Sequence, residues 1–398
     1  MNDPTKVDAP LVDPDVVAQI KTWKGYVEAK LGFRNCWYPS LNSEEVEEGK
    51  PVPFLLAGEK LLLNRIDGKV YCMSDTCLHR GVPLSEKVEC YSKDTITCWY
   101  HGWTYDFKDG KLCDILTDPN SKMIGNRALQ TYQVEEAKGL LFIYLGDLDE
   151  GEQPPALERD VPPGFLEADR RVRPFRRQVN SDWRLGAENG FDTTHIFIHK
   201  DSKLIIGNET MLPLGFAPPP GKMNDLWDRV ETDAGQQGVY DRLADHGVPH
   251  FEGKIDGEVV LKAIYGGDKR IAGEISLWMP GALKVDPFPD PEMIHFEWYV
   301  PRDEKSHWYV HCATKVVPGE QGDESFGREY DAVWKDMYAH GFNDDDIWAR
   351  EATQDFYDDD YGWLDETLFE SDACIIAWRK LASETNHGIQ TRVRDRKR

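Results

Sequence analysis

The sequence predicts an α+β chain of two domains, a compact antiparallel β domain followed by a larger, helix-flanked and strand-rich one. Three observations predict it. From about Asn35 to Gly146 short β-rich runs alternate with turn signals, a Pro/Gly/acidic segment interrupts the chain at 147–164, and beyond it strand patterns lie between helical ones. Residues 12–31 open the chain with an apolar helical rhythm (Val16, Val17, Ile20, Trp23, Tyr26, Val27) and predict a helix. The runs Phe54–Leu56, Lys60–Asn64, Val70–Cys72, Thr95–Trp99, Trp103–Phe107 and Leu140–Leu145 predict strands, with Asp67-Gly68 and Asp109-Gly110 as hairpin turns. The boundary is expected at 154/155, giving domains 1–154 and 155–398, because Pro154-Pro155 and Pro162-Pro163-Gly164 fall in the interrupting segment. In the second domain residues 182–199 are expected to be helical. Strands are expected near Val259–Tyr265, Glu274–Met279, Ile294–Val300 and His307–Lys315, and further helices over Phe326–Arg350 and Ser371–Ser383. The basic tail Thr391–Arg398 is expected to be a solvated end.

Composition excludes several classes. Among 398 residues, 47 basic against 71 acidic side chains leave a net charge of −24, a poor match to nucleic acid, whose binding depends on Lys and Arg displacing counterions. With 40% hydrophobic and 11% aromatic residues the chain can build cores and is not expected to be disordered. No apolar run approaches the roughly 20 residues that span a bilayer. The start Met1–Lys6 lacks a basic stretch followed by an apolar one, so no membrane association and a cytoplasmic location are expected. There the eight cysteines are first candidates for metal or catalysis rather than cross-links.

Two cysteines keep patterned company. Cys77-Leu78-His79 and Cys98-Trp99-Tyr100-His101 each bring one thiolate and one imidazole into a short loop. Two such loops on adjacent hairpins can converge on one centre. Tetrahedral zinc would accept Cys77, His79, Cys98 and His101. So would a Rieske [2Fe–2S] cluster, with two thiolates on one iron and two imidazoles on the other. Mixed Cys-x-His and Cys-x-x-His loops favour the cluster, since zinc fingers group their cysteines first and their histidines later.

Three His-x-x-x-His pairs occur, at 195/199, 246/250 and 307/311. Gly247 and Pro249 break the second as a helix, and the third reads as strand. His195 and His199 follow Glu188-Asn189-Gly190-Phe191-Asp192. On a helix they would stack on one face, with Asp192 one turn earlier. They could be a satisfied core pair, or two corners of a 2-His-1-carboxylate site for non-haem Fe(II). The third corner must be distant. The run Asp344-Asp345-Asp346 is the best candidate, and Asp346, just before the apolar Ile347-Trp348, is preferred, although such a run also suits a solvated helix start. Asp192 could then orient a ligand histidine through its other ring nitrogen.

With both motifs in this order the sequence resembles the Rieske non-haem iron aromatic-ring-hydroxylating oxygenases, over about Phe33 to His387. Lys30–Asn35, Glu188–Asp192, Phe296–Pro301 and Phe342–Glu351 carry the likeness further. The resemblance implies a Rieske domain followed by a helix-grip-like catalytic domain around a central antiparallel sheet. It implies a homotrimeric terminal oxygenase with a Rieske [2Fe–2S] cluster and a mononuclear Fe(II). Electrons come from NAD(P)H indirectly, through a ferredoxin reductase and a ferredoxin, and no dinucleotide-binding glycine motif follows a strand here. Each cluster is implied to pass an electron across the subunit boundary to its neighbour's iron, through His101 and the bridging Asp192.

The implied reaction spends O2 and two electrons to dihydroxylate carbazole-type N-heteroaromatics at the angular position, next to nitrogen; the hemiaminal so formed opens to an aminobiphenyl-diol. Such a planar substrate calls for an apolar pocket with one or two fixed polar groups. The Gly190 carbonyl is the expected acceptor of a substrate N–H. Ala272, Ile275, Leu283, Val285, Phe288 and Phe342 are expected walls, and His295 stands where the resemblance implies a polar amide. Arg80 and Lys24 are candidates for a basic ferredoxin-docking patch. A Rieske monooxygenase or demethylase, and a non-enzymatic Rieske electron carrier, are the competing readings.

Overall fold

The computed structural model of the protein describes residues 10–392, apart from 150, 193, 205–226, 242–250 and 264–273. The chain divides into two compact units, one formed by Arg34–Leu157 and the other by Glu158–Thr391 with the opening residues up to Phe33. The opening segment thus belongs with the second unit, whereas the sequence expectation joined it to the first. Its buried face explains the difference. Tyr26 is fully buried and meets Trp183, Trp363 and Trp378 edge-on at 5.8, 6.0 and 6.4 Å. The expected single helix is two short ones, Pro14–Gln19 and Lys24–Glu28, because the chain turns extended at Ile20.

The Arg34–Leu157 unit holds ten antiparallel strands: β1 Cys36–Asn42, β2 Val52–Leu56, β3 Glu59–Ile66, β4 Lys69–Ser74, β5 Thr95–Thr97, β6 Trp103–Asp106, β7 Leu112–Ile115, β8 Thr131–Tyr132, β9 Val134–Ala137 and β10 Leu140–Leu145. They form sheets in the orders β1-β10-β9, β2-β3-β4-β8 and β5-β6-β7. Asp67 and Gly68 both take positive φ (50° and 81°), the conformation that a two-residue hairpin between β3 and β4 needs. One core, with Leu62, Met73, Ile96, Tyr105 and Phe107 at its centre, buries the two patterned cysteines.

The second unit is built on a seven-stranded antiparallel sheet. Its strands are β11 Arg170–Val179, β12 Trp227–Glu231, β13 Gln237–Asp241, β16 Glu274–Trp278, β17 Ala282–Asp286, β18 Met293–Asp303 and β19 Ser306–Val316, in the order β11-β19-β18-β17-β16-β13-β12. A separate hairpin pairs β14 Phe251–Ile255 with β15 Glu258–Ala263. The sequence expectation marked β16, β18 and β19 but not β11. That strand carries five arginines and Pro174 on an edge, where a missing N–H is tolerated and apolar alternation is weak.

The helix Trp183–Phe191 crosses the sheet, with Asp182 capping its start by accepting the Arg184 N–H at 2.9 Å. Glycine lets it sit close. A Cβ at Gly186 would lie 2.8 Å from Tyr299 Cδ1, and one at Gly190 would fall on the Tyr299 hydroxyl. The expected helix 182–199 is corrected here: it ends at Phe191, and a 3₁₀ helix follows at His195–Asp201. Asp192 breaks it by accepting the N–H and hydroxyl of Thr194, both at 2.7 Å, a local bond that competes with the helical ladder. The helical region after the sheet runs as Gly319–Glu329, a wider π-wound stretch Tyr330–His340, and Asn343–Tyr357, before the closing helix Ala373–Glu384. Among the described residues no helix is long and apolar enough to cross a membrane.

Candidate metal centres

The two cysteine loops fold identically. In each, the cysteine N–H donates to the carbonyl five residues on (Cys77 to Val82, 2.9 Å; Cys98 to Trp103, 2.7 Å). The cysteine carbonyl accepts from a glycine four residues on, Gly81 or Gly102, both at 2.9 Å. Both glycines have φ near +70°, which closes the loops without strain. The thiols point into the core while the imidazoles lie at the edge, His79 and His101 with ring centroids 4.4 Å apart. His79 stacks on Trp103 at 5.2 Å. Burial pushes the Cys98 thiol up, and the N–H groups of Tyr100 and His101 pull it back toward thiolate. Desolvation, His79 and Arg80 push the His101 imidazole down.

With bonds of about 2.0–2.3 Å, a tetrahedral zinc ion would draw its donors within about 4 Å of one another. No three of these four donors lie within 4.8 Å. A dinuclear cluster, with paired thiolates inside and paired imidazoles outside, fits the arrangement better. Arg80 is exposed beside His79, whereas Lys24 belongs to the other unit.

In the second unit His195, His199 and Asp346 bring one donor atom each within 4.8 Å of one another. Asp346 Oδ1 lies 3.4 Å from Nε2 of both histidines. His199 Nε2 and Asp346 Oδ1 are buried without a hydrogen-bond partner, the state of donors that serve a metal ion. The other ring nitrogens are used: His195 Nδ1–H donates to the Asp192 carbonyl, and His199 Nδ1 lies 3.3 Å from Asp345 Oδ2. In the neutral imidazoles both bonds favour the tautomer whose Nε2 carries no proton, the form a metal would bind. So Asp192 acts on a histidine through its backbone, and Asp345, rejected as the third corner, supports His199. Burial opposes charge at His199, but Asp346 overrides it and pushes the imidazole up to about 9. A metal at these donors would compete with a proton. Phe342 stacks on the His199 ring at 3.7 Å.

These donors open onto an apolar cavity. Of the expected wall residues, Gly190, Ile275, Leu283, Val285, Phe288, His295 and Phe342 all line it; Ala272 lies outside the described residues. Gly190 is the penultimate residue of its helix, so the regular ladder would seek its partner at Thr194. The Thr194 N–H that would follow is taken by Asp192.

His295 is 2% exposed and held at both ring nitrogens, by Glu297 and by Tyr338. Sequence reasoning missed Ile196, Glu297 and Arg350, which also line the cavity. The signals were present. Glu297 alternates with His295 and Tyr299 on one face of β18, and Arg350 follows Asp346 by one helical turn.

Two clusters of this kind in one chain, a dinuclear site in a β unit and a 2-His-1-carboxylate site under an apolar pocket, define a Rieske-type ring-hydroxylating oxygenase. The chain belongs to this family: residues 36–133 match the Rieske [2Fe–2S] domain and residues 144–390 match the homotrimeric ring hydroxylase family. It is 55% identical to the terminal oxygenase component of carbazole 1,9a-dioxygenase from Metapseudomonas resinovorans, over 96% of this chain and 98% of the relative. To the corresponding component from a Sphingomonas species it is 57% identical, over 93% and 96% of the two chains. Its fold superposes with a TM-score of 0.92 on the oxygenase in the reduced oxygenase–ferredoxin complex of carbazole 1,9a-dioxygenase, 54% identical over 96% of this chain and 97% of that one.

Two smaller predictions arise here. Tyr105 accepts the Leu78 N–H at 3.1 Å, which leaves its own hydroxyl hydrogen for Cys77 Sγ at 3.3 Å. A hydrogen bond to a ligand thiolate favours the reduced cluster. Tyr105→Phe is expected to lower the cluster potential by tens of millivolts in film voltammetry, with iron and sulfide content unchanged. Gly190→Ala is expected to force the helix off Tyr299, destabilising the protein by about 1–3 kcal/mol and weakening substrate binding. Thermal melts and substrate titration would show both.

Proposed function

We propose that this chain is the terminal oxygenase component of a multicomponent dioxygenase that dihydroxylates carbazole-type N-heteroaromatics at the angular position. The observation that carries the reading is the meeting, at one place, of three convergent metal donors and an apolar pocket that Gly190 helps to line. In this reading Cys77, His79, Cys98 and His101 hold the [2Fe–2S] cluster, and His195, His199 and Asp346 hold the mononuclear iron. The iron supplies the binding and reductive activation of O2. The protein does the rest. Ile275, Leu283, Val285 and Phe288 exclude water and hold the flat rings, and the Gly190 carbonyl accepts the substrate N–H so that the angular carbon faces the metal donors. His295, with both ring nitrogens engaged, offers the substrate a fixed edge where an amide would offer hydrogen bonds, which bears on substrate range and regiochemistry.

The working assembly in this reading is a homotrimer. A ferredoxin, itself fed from NAD(P)H by a reductase, would be the electron donor, and Asp192 would bridge the path between His101 of one subunit and the metal-site histidine of its neighbour. The place of action is the cytoplasm, where that donor chain is available. The test is elemental analysis of anaerobically purified protein followed by turnover. About three irons and two sulfides per chain, and aminobiphenyl-diol from carbazole with ferredoxin and reductase present, are expected. Zinc without sulfide would overturn the reading.

A further inference from the structure

Arg350 is the least expected residue of the site. It is 1% exposed, and its Nε donates to Asn189 Oδ1 at 2.5 Å. Its guanidinium lies over the rings of Tyr309 and Tyr299, 4.4 and 5.0 Å from their centroids. Neither Nη makes a hydrogen bond. Instead Nη2 stands between two buried carboxylates, 3.9 Å from Glu297 Oε2 and 4.0 Å from Asp346 Oδ1. These distances are too long for direct hydrogen bonds and short enough for strong attraction in a buried setting. A buried guanidinium placed between two anions is drawn by both, so a change at one carboxylate alters its pull on the other.

The two carboxylates have different work. Glu297 accepts from His295, Tyr299 and Tyr309, and lines the pocket beside His295. Asp346 presents its oxygen to His195 and His199. Asn189, which anchors the other end of Arg350, directly precedes Gly190 on the same helix. Arg350 therefore lines the cavity itself, is tied through Asn189 to the helix residue beside Gly190, and faces a metal donor at 4.0 Å.

We propose that Arg350 is a positioning residue that couples occupancy of the apolar pocket to the presentation of Asp346 toward the metal. Substrate that shifts His295 or the Gly190 carbonyl changes the pull of Glu297 and Asn189 on the guanidinium, and Asp346 feels the difference. The inference rests on the functional reading above. Coupling of this kind is reciprocal, so substrate and metal must change each other's affinity by the same factor.

The experiment uses protein with its cluster intact and the mononuclear site stripped. Carbazole affinity is measured with and without saturating Co(II), a metal that takes the same donors without turnover. The wild-type ratio of the two dissociation constants is expected to differ from one by about 5-fold or more. In Arg350→Met, and independently in Glu297→Gln, the ratio is expected to fall to within about twofold of one. A merely structural role would shift both constants and leave the ratio alone. A ratio of one in the wild type, or a wild-type ratio in whichever of the two variants folds, overturns the proposal while the functional reading stands. Failure of the wild type to bind either carbazole or Co(II) overturns both.

Discussion

Asp346→Ala is expected to remove the mononuclear iron and reduce product formation at least about 100-fold, while the cluster stays intact. Burial alone would raise the Asp346 carboxyl, but His199, His195 and Arg350 outweigh it and hold the group well below the usual carboxylate range. It is therefore a charged oxygen at the meeting point of two imidazoles, and the buried carboxylate of that trio. Without it two neutral nitrogens remain, too few to hold Fe(II) against dilution. Asp345 cannot replace it: its side chain is 40% exposed and already faces His199 Nδ1. Iron should fall from about three to about two per chain with sulfide steady at about two, and the visible spectrum of the cluster should be unchanged. Three irons in the variant would mean that another carboxylate supplies the third ligand. The neighbouring Asp345→Asn gives the contrast, because a lost orienting bond costs about 10- to 100-fold in affinity or activity rather than the metal itself.

That contrast marks how far the sequence could be read. Cys77, His79, Cys98 and His101 were legible because ligands in short loops are close in sequence as well as in space. His195 and His199 were legible for the same reason, although their setting was not. A helix through 182–199 follows from apolar periodicity, which takes no account of Asp192 bonding Thr194 and ending the helix. Asp346 was separable from Asp345 only by the apolar residues after it. Glu297 and Arg350 were hidden for a different reason. A buried charge is legible only with its partners, and theirs come from β18, β19 and two helices distant in sequence. The Arg-rich strand β11 escaped likewise, since an edge strand covered by helices need not alternate.

Asp192→Asn is expected to keep both metal centres and nearly stop turnover. The substitution is close to silent for structure. The amide oxygen can still accept from Thr194, and the backbone carbonyl still accepts from His195 Nδ1. His195 therefore keeps its tautomer, and about three irons and two sulfides per chain should remain. What changes is the negative charge beside the ligand histidine, in a polar cavity that Asp192 shares with Glu188, Asn189 and Arg350. If that carboxylate bridges the electron path, the pre-reduced cluster should reoxidise at least about 100-fold more slowly when substrate and O2 are mixed in. Reduction of the cluster by ferredoxin should be unaffected, because that step lies upstream. Loss of iron would instead assign Asp192 a structural role through His195. Full activity with both centres loaded would remove it from the electron path and direct attention to Asp372, a carboxyl that lines the same cavity and that burial and Asp192 already push up.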